Sequence, residues 1–163
     1  MTELKAIHMD IERISMAMKQ CDNIKKIDLS SNRIARIENM DRLINLRDLS
    51  MAFNRIEWIE NLRCPNLKIL DLSTNKLTDI AGFKAFKKIE VLQLSHNKIE
   101  SLSELEYLAN LWVLNVNNNL IRRITNMKNL PQLDTLGLAD NLITNIWKQD
   151  FQACDKIYSL DLS

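Results

Sequence analysis

A nine-residue phrase, Leu-x-x-Leu-x-Leu-x-x-Asn, recurs along this chain at a nearly fixed interval. Aligned on its asparagine, the copies fall at Asn32, Asn54, Asn75, Asn97, Asn119 and Asn141, with steps of 22, 21, 22, 22 and 22 residues. A seventh copy begins at Ile157 (IYSLDLS) and stops before an asparagine. A period of this size marks stacked supersecondary units rather than a globule with an irregular core.

The apolar positions line up as columns. Three lie in the phrase itself: Ile24, Leu46, Leu67, Ile89, Leu111, Leu133, Ile157; then Ile27, Leu49, Leu70, Leu92, Leu114, Leu136, Leu160; then Leu29, Met51, Leu72, Leu94, Val116, Leu138, Leu162. Beyond each asparagine follow Ile34, Ile56, Leu77, Ile99, Ile121, Ile143 and Ile37, Ile59, Ile80, Leu102, Ile124, Ile146, then Met40, Leu62, Phe83, Leu105, Met127 and Phe151. The alternation inside the phrase is that of a short strand with one buried face. Stacked beside its neighbours, such a strand builds a parallel sheet with about 4.8 Å between strands. The return segment adds about three inward side chains, so each coil closes on a core. Burying one such side chain stabilises by about 1.5–3 kcal/mol, too little for a lone coil, so neighbours must stack.

The repeated asparagine has its own task. After each strand, backbone groups leave the ladder while still buried. A carboxamide both donates and accepts, so a column of them satisfies those groups turn after turn. The expected structural ladder is Asn32, Asn54, Asn75, Asn97, Asn119 and Asn141. It also replaces the usual corner residues, since the chain has only 2 Gly and 2 Pro.

Several function classes are disfavoured. Lys+Arg is 22 and Asp+Glu is 21, so no bulk charge points to nucleic acid or an anionic membrane. No run approaches the roughly 20 apolar residues that span a bilayer. The start, MTELKAIHMD, carries Glu3, Lys5 and Asp10 and lacks the apolar stretch of a secretory leader. Cys21, Cys64 and Cys154 share the column of Leu43, Phe86, Leu108 and Leu130, three residues before the first strand column. They are expected as buried free thiols, which fits a reducing, cytoplasmic setting. His8 and His96 make no metal motif or triad, and there is no phosphate-binding glycine loop or nucleophile elbow. No catalytic residue, metal or cofactor is expected, and the protein reads as a non-enzyme.

What remains is the outer, concave face of the sheet. One outward column reads Lys26, Asp48, Ile69, Val91, Val113, Thr135, Ser159; the next reads Asp28, Ser50, Asp71, Gln93, Asn115, Gly137, Asp161. A third is small: Ser30, Ala52, Ser73, Ser95, Asn117, Ala139, Ser163. Ile69, Val91 and Val113 fall on three successive strands, Trp112 borders them at one edge, and Phe53 lies at the far edge. An apolar patch rimmed by polar groups marks an interaction site, and aromatic residues are common anchors. The candidate partner-binding set is therefore Phe53, Ile69, Asp71, Val91, Gln93, His96, Trp112, Val113 and Asn115. A weaker feature is a basic edge, Arg33, Arg55, Lys76 and Lys98, continued by Leu120 and Leu142. It suits an acidic partner; single-stranded nucleic acid needs a basic face with stacking aromatics, so nucleic acid is only a remote alternative.

The phrase is the signature of leucine-rich repeats, carried here as IKKIDLSSN, LRDLSMAFN, LKILDLSTN, IEVLQLSHN, LWVLNVNNN and LDTLGLADN. The period and the returns NRIARI, NRIEWI, NKLTDI, NKIESL, NLIRRI and NLITNI resemble the 22-residue subclass typified by the nuclear regulatory subunit of protein phosphatase type 1. They are also similar to the light chain of axonemal outer-arm dynein. The resemblance implies an α/β leucine-rich-repeat solenoid: a curved parallel β-sheet on the concave side and short 3₁₀ or helical returns on the convex side. It implies a protein-interaction scaffold, with two kinds of partner: a phosphatase catalytic subunit, as for a regulatory subunit, or a dynein- or tubulin-type cytoskeletal protein, as for a cytoplasmic, ciliary or nuclear adaptor. Residues 1–23 (with DIERI) read as a degenerate first repeat acting as an N-terminal cap, and 24–163 as six full repeats plus a truncated seventh. The stop inside a strand reads as a fragment boundary or an end covered by a partner. NIWKQDFQAC, two residues longer than its counterparts, is expected to form a longer turn or helix.

Overall fold

A computed structural model describes residues 1–151 and 154–163. It is a solenoid with eight three-residue strands: β1 (Glu3–Lys5), β2 (Lys26–Asp28), β3 (Asp48–Ser50), β4 (Ile69–Asp71), β5 (Val91–Gln93), β6 (Val113–Asn115), β7 (Thr135–Gly137) and β8 (Ser159–Asp161). They form one sheet in chain order, every neighbouring pair parallel. The register keeps the inward-pointing centres level: Leu4, Ile27, Leu49, Leu70, Leu92, Leu114, Leu136 and Leu160 are successive partners. A one-residue slip would turn each of these leucines outward, so the apolar alternation itself fixes the pairing.

The returns are mostly irregular turns. Short 3₁₀ helices occupy Met16–Gln20, Phe83–Ala85, Leu105–Tyr107 and Lys148–Phe151. The first is capped by Ser15, whose hydroxyl accepts from the Ala17 N–H at 3.2 Å. Within NIWKQDFQAC, Gln152 and Ala153 lie outside the described residues. The inward columns fuse into one core running the length of the solenoid. Its bulkiest members, Phe83 and Phe86, meet edge to face with centroids 5.7 Å apart. Ile59 is half-buried in mid-solenoid; otherwise the columns fail at the last coil. Ile146, Leu160 and Leu162 are exposed there and Ile143 is half-buried, because burial in this fold comes from the neighbouring coil as much as from a residue's own.

The asparagine column forms the expected ladder. Each Oδ1 accepts from the N–H two residues past the equivalent position in the preceding coil: Asn54 from Ile34, Asn75 from Ile56, Asn97 from Leu77, Asn119 from Ile99 and Asn141 from Ile121, all at 2.9–3.1 Å. Each Nδ2 donates to the third-column carbonyl of its own coil and to that of the coil before. Asn97, for example, donates to Leu94 O and Leu72 O, both at 3.0 Å. Most of those carbonyls, such as Leu72 O, therefore accept from two successive asparagines. The first coil has Met9 where an asparagine would stand, and Asn32 compensates by accepting from both Met9 N and Ile11 N at 3.0 Å.

The corners themselves are turned by other residues. The position just before each asparagine adopts positive φ: Ser31, Phe53, Thr74, His96, Asn118 and Asp140 all lie at φ 52–57°, as does His8 in the first coil at 56°. A second left-handed corner sits on the convex side at Asn39, Asn61, Gly82, Glu104 and Asn126, seven residues past the first five ladder asparagines. Asparagine tolerates this region better than most side chains, and glycine is free of its steric cost. These corners are tied to the preceding coil as well. Asn39 Nδ2 donates to Ile14 O at 2.7 Å, Asn126 Nδ2 to Leu102 O at 3.1 Å, and Glu104 Oε2 accepts from Gly82 N at 2.7 Å.

Replacing Asn97 by leucine leaves the Leu77 N–H without its acceptor and takes one of the two asparagine donors from each of Leu72 O and Leu94 O. The expected cost is roughly 3 kcal/mol, at about 1–3 kcal/mol per stranded group after partial repair by water. Exposed Asn45→Ala should cost less than about 1 kcal/mol. Urea midpoints for the two variants, read by circular dichroism, check the contrast.

Candidate functional site

The apolar row is in register. Ile69 pairs with Val91 and Val91 with Val113 on adjacent strands, which lays the three side chains side by side on the outer face. Ile69 is 40% exposed, and Val91 and Val113 are half-buried among their neighbours. Trp112 immediately precedes β6 and is 55% exposed; its N–H is held by Glu90 O at 2.8 Å. Phe53 is 58% exposed because it occupies a left-handed corner, where the side chain is thrown clear of the core. His96 is exposed at the equivalent corner two coils on. The structure therefore splits the candidate set. Ile69, Val91, Val113 and Trp112 form one patch on β4–β6, while Phe53 and His96 belong to the edge where the strands end.

The polar members have occupations of their own. Asp71 Oδ1 accepts from Ser73 N at 2.9 Å and Asn115 Oδ1 from Asn117 N at 3.1 Å, each closing the turn at its own strand end. Asp28 and Asp161 do the same for Ser30 and Ser163. Asn117 Oδ1 reaches across to Ala139 N at 2.9 Å, and this explains Gly137: a Cβ there would lie 2.7 Å from that oxygen. The aspartates thus serve as local turn closers; Ser50 bonds the Ser30 hydroxyl at 2.7 Å, and Gln93 makes no side-chain hydrogen bond among the described residues.

The strand-end edge carries Arg33, Arg55, Lys76 and Lys98, all exposed. Arg33 is engaged by Asp10 at 2.9 Å. The other charged pairs lie elsewhere: Arg13–Glu38 and Arg36–Glu60 across the returns, Lys68–Glu90 before the strands. A cleft of about 470 Å³ on the returns is lined by Glu12, Arg13, Arg36, Glu38, Glu60 and Asn61, and its charges are largely consumed by those pairs. Burial would raise the Glu104 carboxyl, but the Lys84 and Gly82 N–H groups hold it below the ordinary carboxylate range, a structural assignment rather than a catalytic one. Trp58 and Trp147, in the returns, are both exposed.

All three cysteines are free thiols. Cys64 and Cys154 are buried, and Cys21 is half-buried at the first coil. Burial pushes the Cys64 thiol up to about 12 and raises Cys154, whose neighbour Asp155 adds to the effect. Among the described residues no group of three metal-ligating side chains is clustered, and no helix is long and apolar enough to cross a membrane.

Comparison with known proteins agrees with this geometry. A family model described as "Leucine rich repeat" matches residues 65–121, and one described as "Leucine Rich repeats (2 copies)" matches 44–85. An internalin (InlF) from Listeria monocytogenes superposes with a TM-score of 0.87 at 27% identity, over 99% of this chain and 48% of that one. Internalin C2 from the same organism gives 0.72 at 19% identity over 99% and 80%. The TLR13–ssRNA13 complex gives 0.82 at 21% identity over 98% and 24%. This chain thus spans about half the length of the InlF chain, and the two more distant likenesses speak for the fold alone.

The thiols should separate by accessibility. In native protein at pH 8, a disulfide-exchange reagent should label Cys21 first, with Cys64 and Cys154 reacting only after denaturation, because the reactive thiolate is suppressed by burial. Mass-spectrometric site assignment over time checks the order.

Proposed function

We propose that this leucine-rich-repeat solenoid is a protein-binding module whose concave sheet holds the partner. The observation that carries the reading is the in-register apolar row Ile69–Val91–Val113, with Trp112 exposed beside it, on an otherwise polar face. β-branched residues suit strands in any case, but Trp112 has no such reason to stand in solvent. A large aromatic beside a shallow aliphatic row offers an anchor and a dry floor. The small third column, including buried Ala52 and Ala139, lets a partner approach the strand ends closely.

Two kinds of partner follow from the resemblance of the returns. A regulatory-subunit role pairs the concave face with a phosphatase catalytic subunit; an adaptor role pairs it with a dynein- or tubulin-type protein. The column Asp28, Ser50, Asp71, Gln93, Asn115, Gly137, Asp161 has no aromatic residue, and its aspartates are engaged in closing their own turns. Phosphatase-binding relatives of this subclass rely on aromatic and acidic groups along these strands, so the column favours the cytoskeletal reading.

Immobilised protein offered purified phosphatase catalytic subunit, tubulin and a dynein heavy-chain fragment should retain one of the cytoskeletal proteins. Val91→Glu combined with Val113→Glu should keep the wild-type circular dichroism and weaken that capture by at least about 30-fold, equivalent to roughly 2 kcal/mol lost from a contact centre. Undiminished capture by the double variant removes the concave row as the site, and retention of the phosphatase alone reverses the choice of partner.

A further inference from the structure

The edge where the strands end carries a second pattern, independent of the concave row. One residue per coil, directly after the ladder asparagine, points to solvent: Arg55 after β3, Lys76 after β4, Lys98 after β5, Leu120 after β6 and Leu142 after β7. Leu120 is 38% and Leu142 41% exposed. Among the described residues no carboxylate lies within ion-pair distance of Arg55, Lys76 or Lys98. The strip is bounded by acid at both ends. Asp10 pairs with Arg33 before it, and Asp140 stands beside its leucine end.

The strip is also rigid. The backbone N–H of every member donates to a carbonyl of the preceding coil: Arg55 to Ile34, Lys76 to Ile56, Lys98 to Leu77, Leu120 to Ile99 and Leu142 to Ile121, at 2.8–2.9 Å. The backbone that carries three cations and two leucines is thus held in a fixed row, one residue per coil, before any partner arrives. A preformed row lowers the ordering cost of binding.

We propose that this strip docks an amphipathic helix of a partner protein, lying along the solenoid axis, with acidic residues over Arg55, Lys76 and Lys98 and apolar residues over Leu120 and Leu142. The spacing chooses the helix. Coils repeat at about 4.8 Å, and a helix presents one face once per turn of 5.4 Å, so four intervals span about 19 Å against about 22 Å. Long Arg and Lys side chains absorb a mismatch of that size. An extended peptide offers same-face side chains only every 6.6–6.8 Å and falls out of step within two coils. The aliphatic end chooses protein over nucleic acid, since leucines give bases no stacking surface. The surface lies outside the Ile69–Val91–Val113 row, so it stands or falls separately from the concave-face reading.

The probe is a synthetic, fluorescently labelled helical peptide with glutamates on one face over three successive turns and leucines on that face over the next two. By fluorescence anisotropy the intact protein should bind it at least about tenfold more tightly than a peptide of equal composition with glutamates and leucines interleaved on that face. Lys76→Glu with Lys98→Glu, and separately Leu120→Asp with Leu142→Asp, should each weaken binding by at least about tenfold, with circular dichroism unchanged. Added salt should weaken binding to the wild type. Val91→Glu with Val113→Glu should leave peptide binding intact. Equal affinity for the interleaved peptide overturns the proposal. So does indifference to the lysine or leucine substitutions, or tighter binding of a single-stranded RNA oligonucleotide than of the ordered peptide.

Discussion

A single carboxamide, repeated once per coil, lets this chain bend sharply six times around a dry core. At each strand end the backbone must leave the sheet while still surrounded by leucine and isoleucine. Left alone, those groups would cost about 1–3 kcal/mol each, a large fraction of what a coil gains by burying its side chains. The asparagine removes that cost in both directions, accepting from the coil behind and donating to its own and the preceding carbonyls. Because the same carbonyl serves two asparagines, the ladder is continuous. The register that the apolar alternation sets is locked by it at each strand end.

That arrangement divides the surface by who has use for each side chain. Polar residues on the outer sheet face are drawn into local work: Asp71 and Asn115 close turns, and Asn117 bridges to Ala139 over Gly137. Residues with no such occupation are the aliphatic row Ile69–Val91–Val113, the aromatics Trp112 and Phe53, and the cations and leucines of the strand-end edge. On the proposed binding role, specificity resides in what the scaffold does not consume. Two surfaces, one facing across the sheet and one along its edge, are carried by different columns of the same repeat and can change without disturbing each other.

The periodic part of this structure was open to reading from the residues, because a column repeated six times averages away the ambiguity of any one position. Strand centres, ladder asparagines and inward returns fall where the spacing puts them. What the letters hid was conformational. Ser31, Phe53, Thr74, His96, Asn118 and Asp140 share no chemistry, so nothing in their identity announces a common positive φ. The convex corner was more visible, since Asn39, Asn61, Gly82 and Asn126 recur seven residues after the ladder, yet Glu104 breaks the pattern. Columns also overstate burial at the last coil, where Leu160 and Leu162 have inward sequence positions but no coil beyond to cover them among the described residues. For the surface, the alternation identifies which side chains face out; whether an outward aspartate is free or engaged depends on a hydrogen bond two residues away, which no periodicity encodes.

The strand-end ladder gives the solenoid a mechanical polarity. Each asparagine holds its own coil and the one before it, so the side-chain bonds across every junction of the ladder are made by the later coil. Under tension along its axis the chain should yield coil by coil, each step releasing about 22 residues; an extended segment of that size measures about 75 Å, against the roughly 4.8 Å it occupied when stacked. A fold assembled by small increments of length thus stores an extension some fifteen times its stacked rise per coil, delivered in equal quanta.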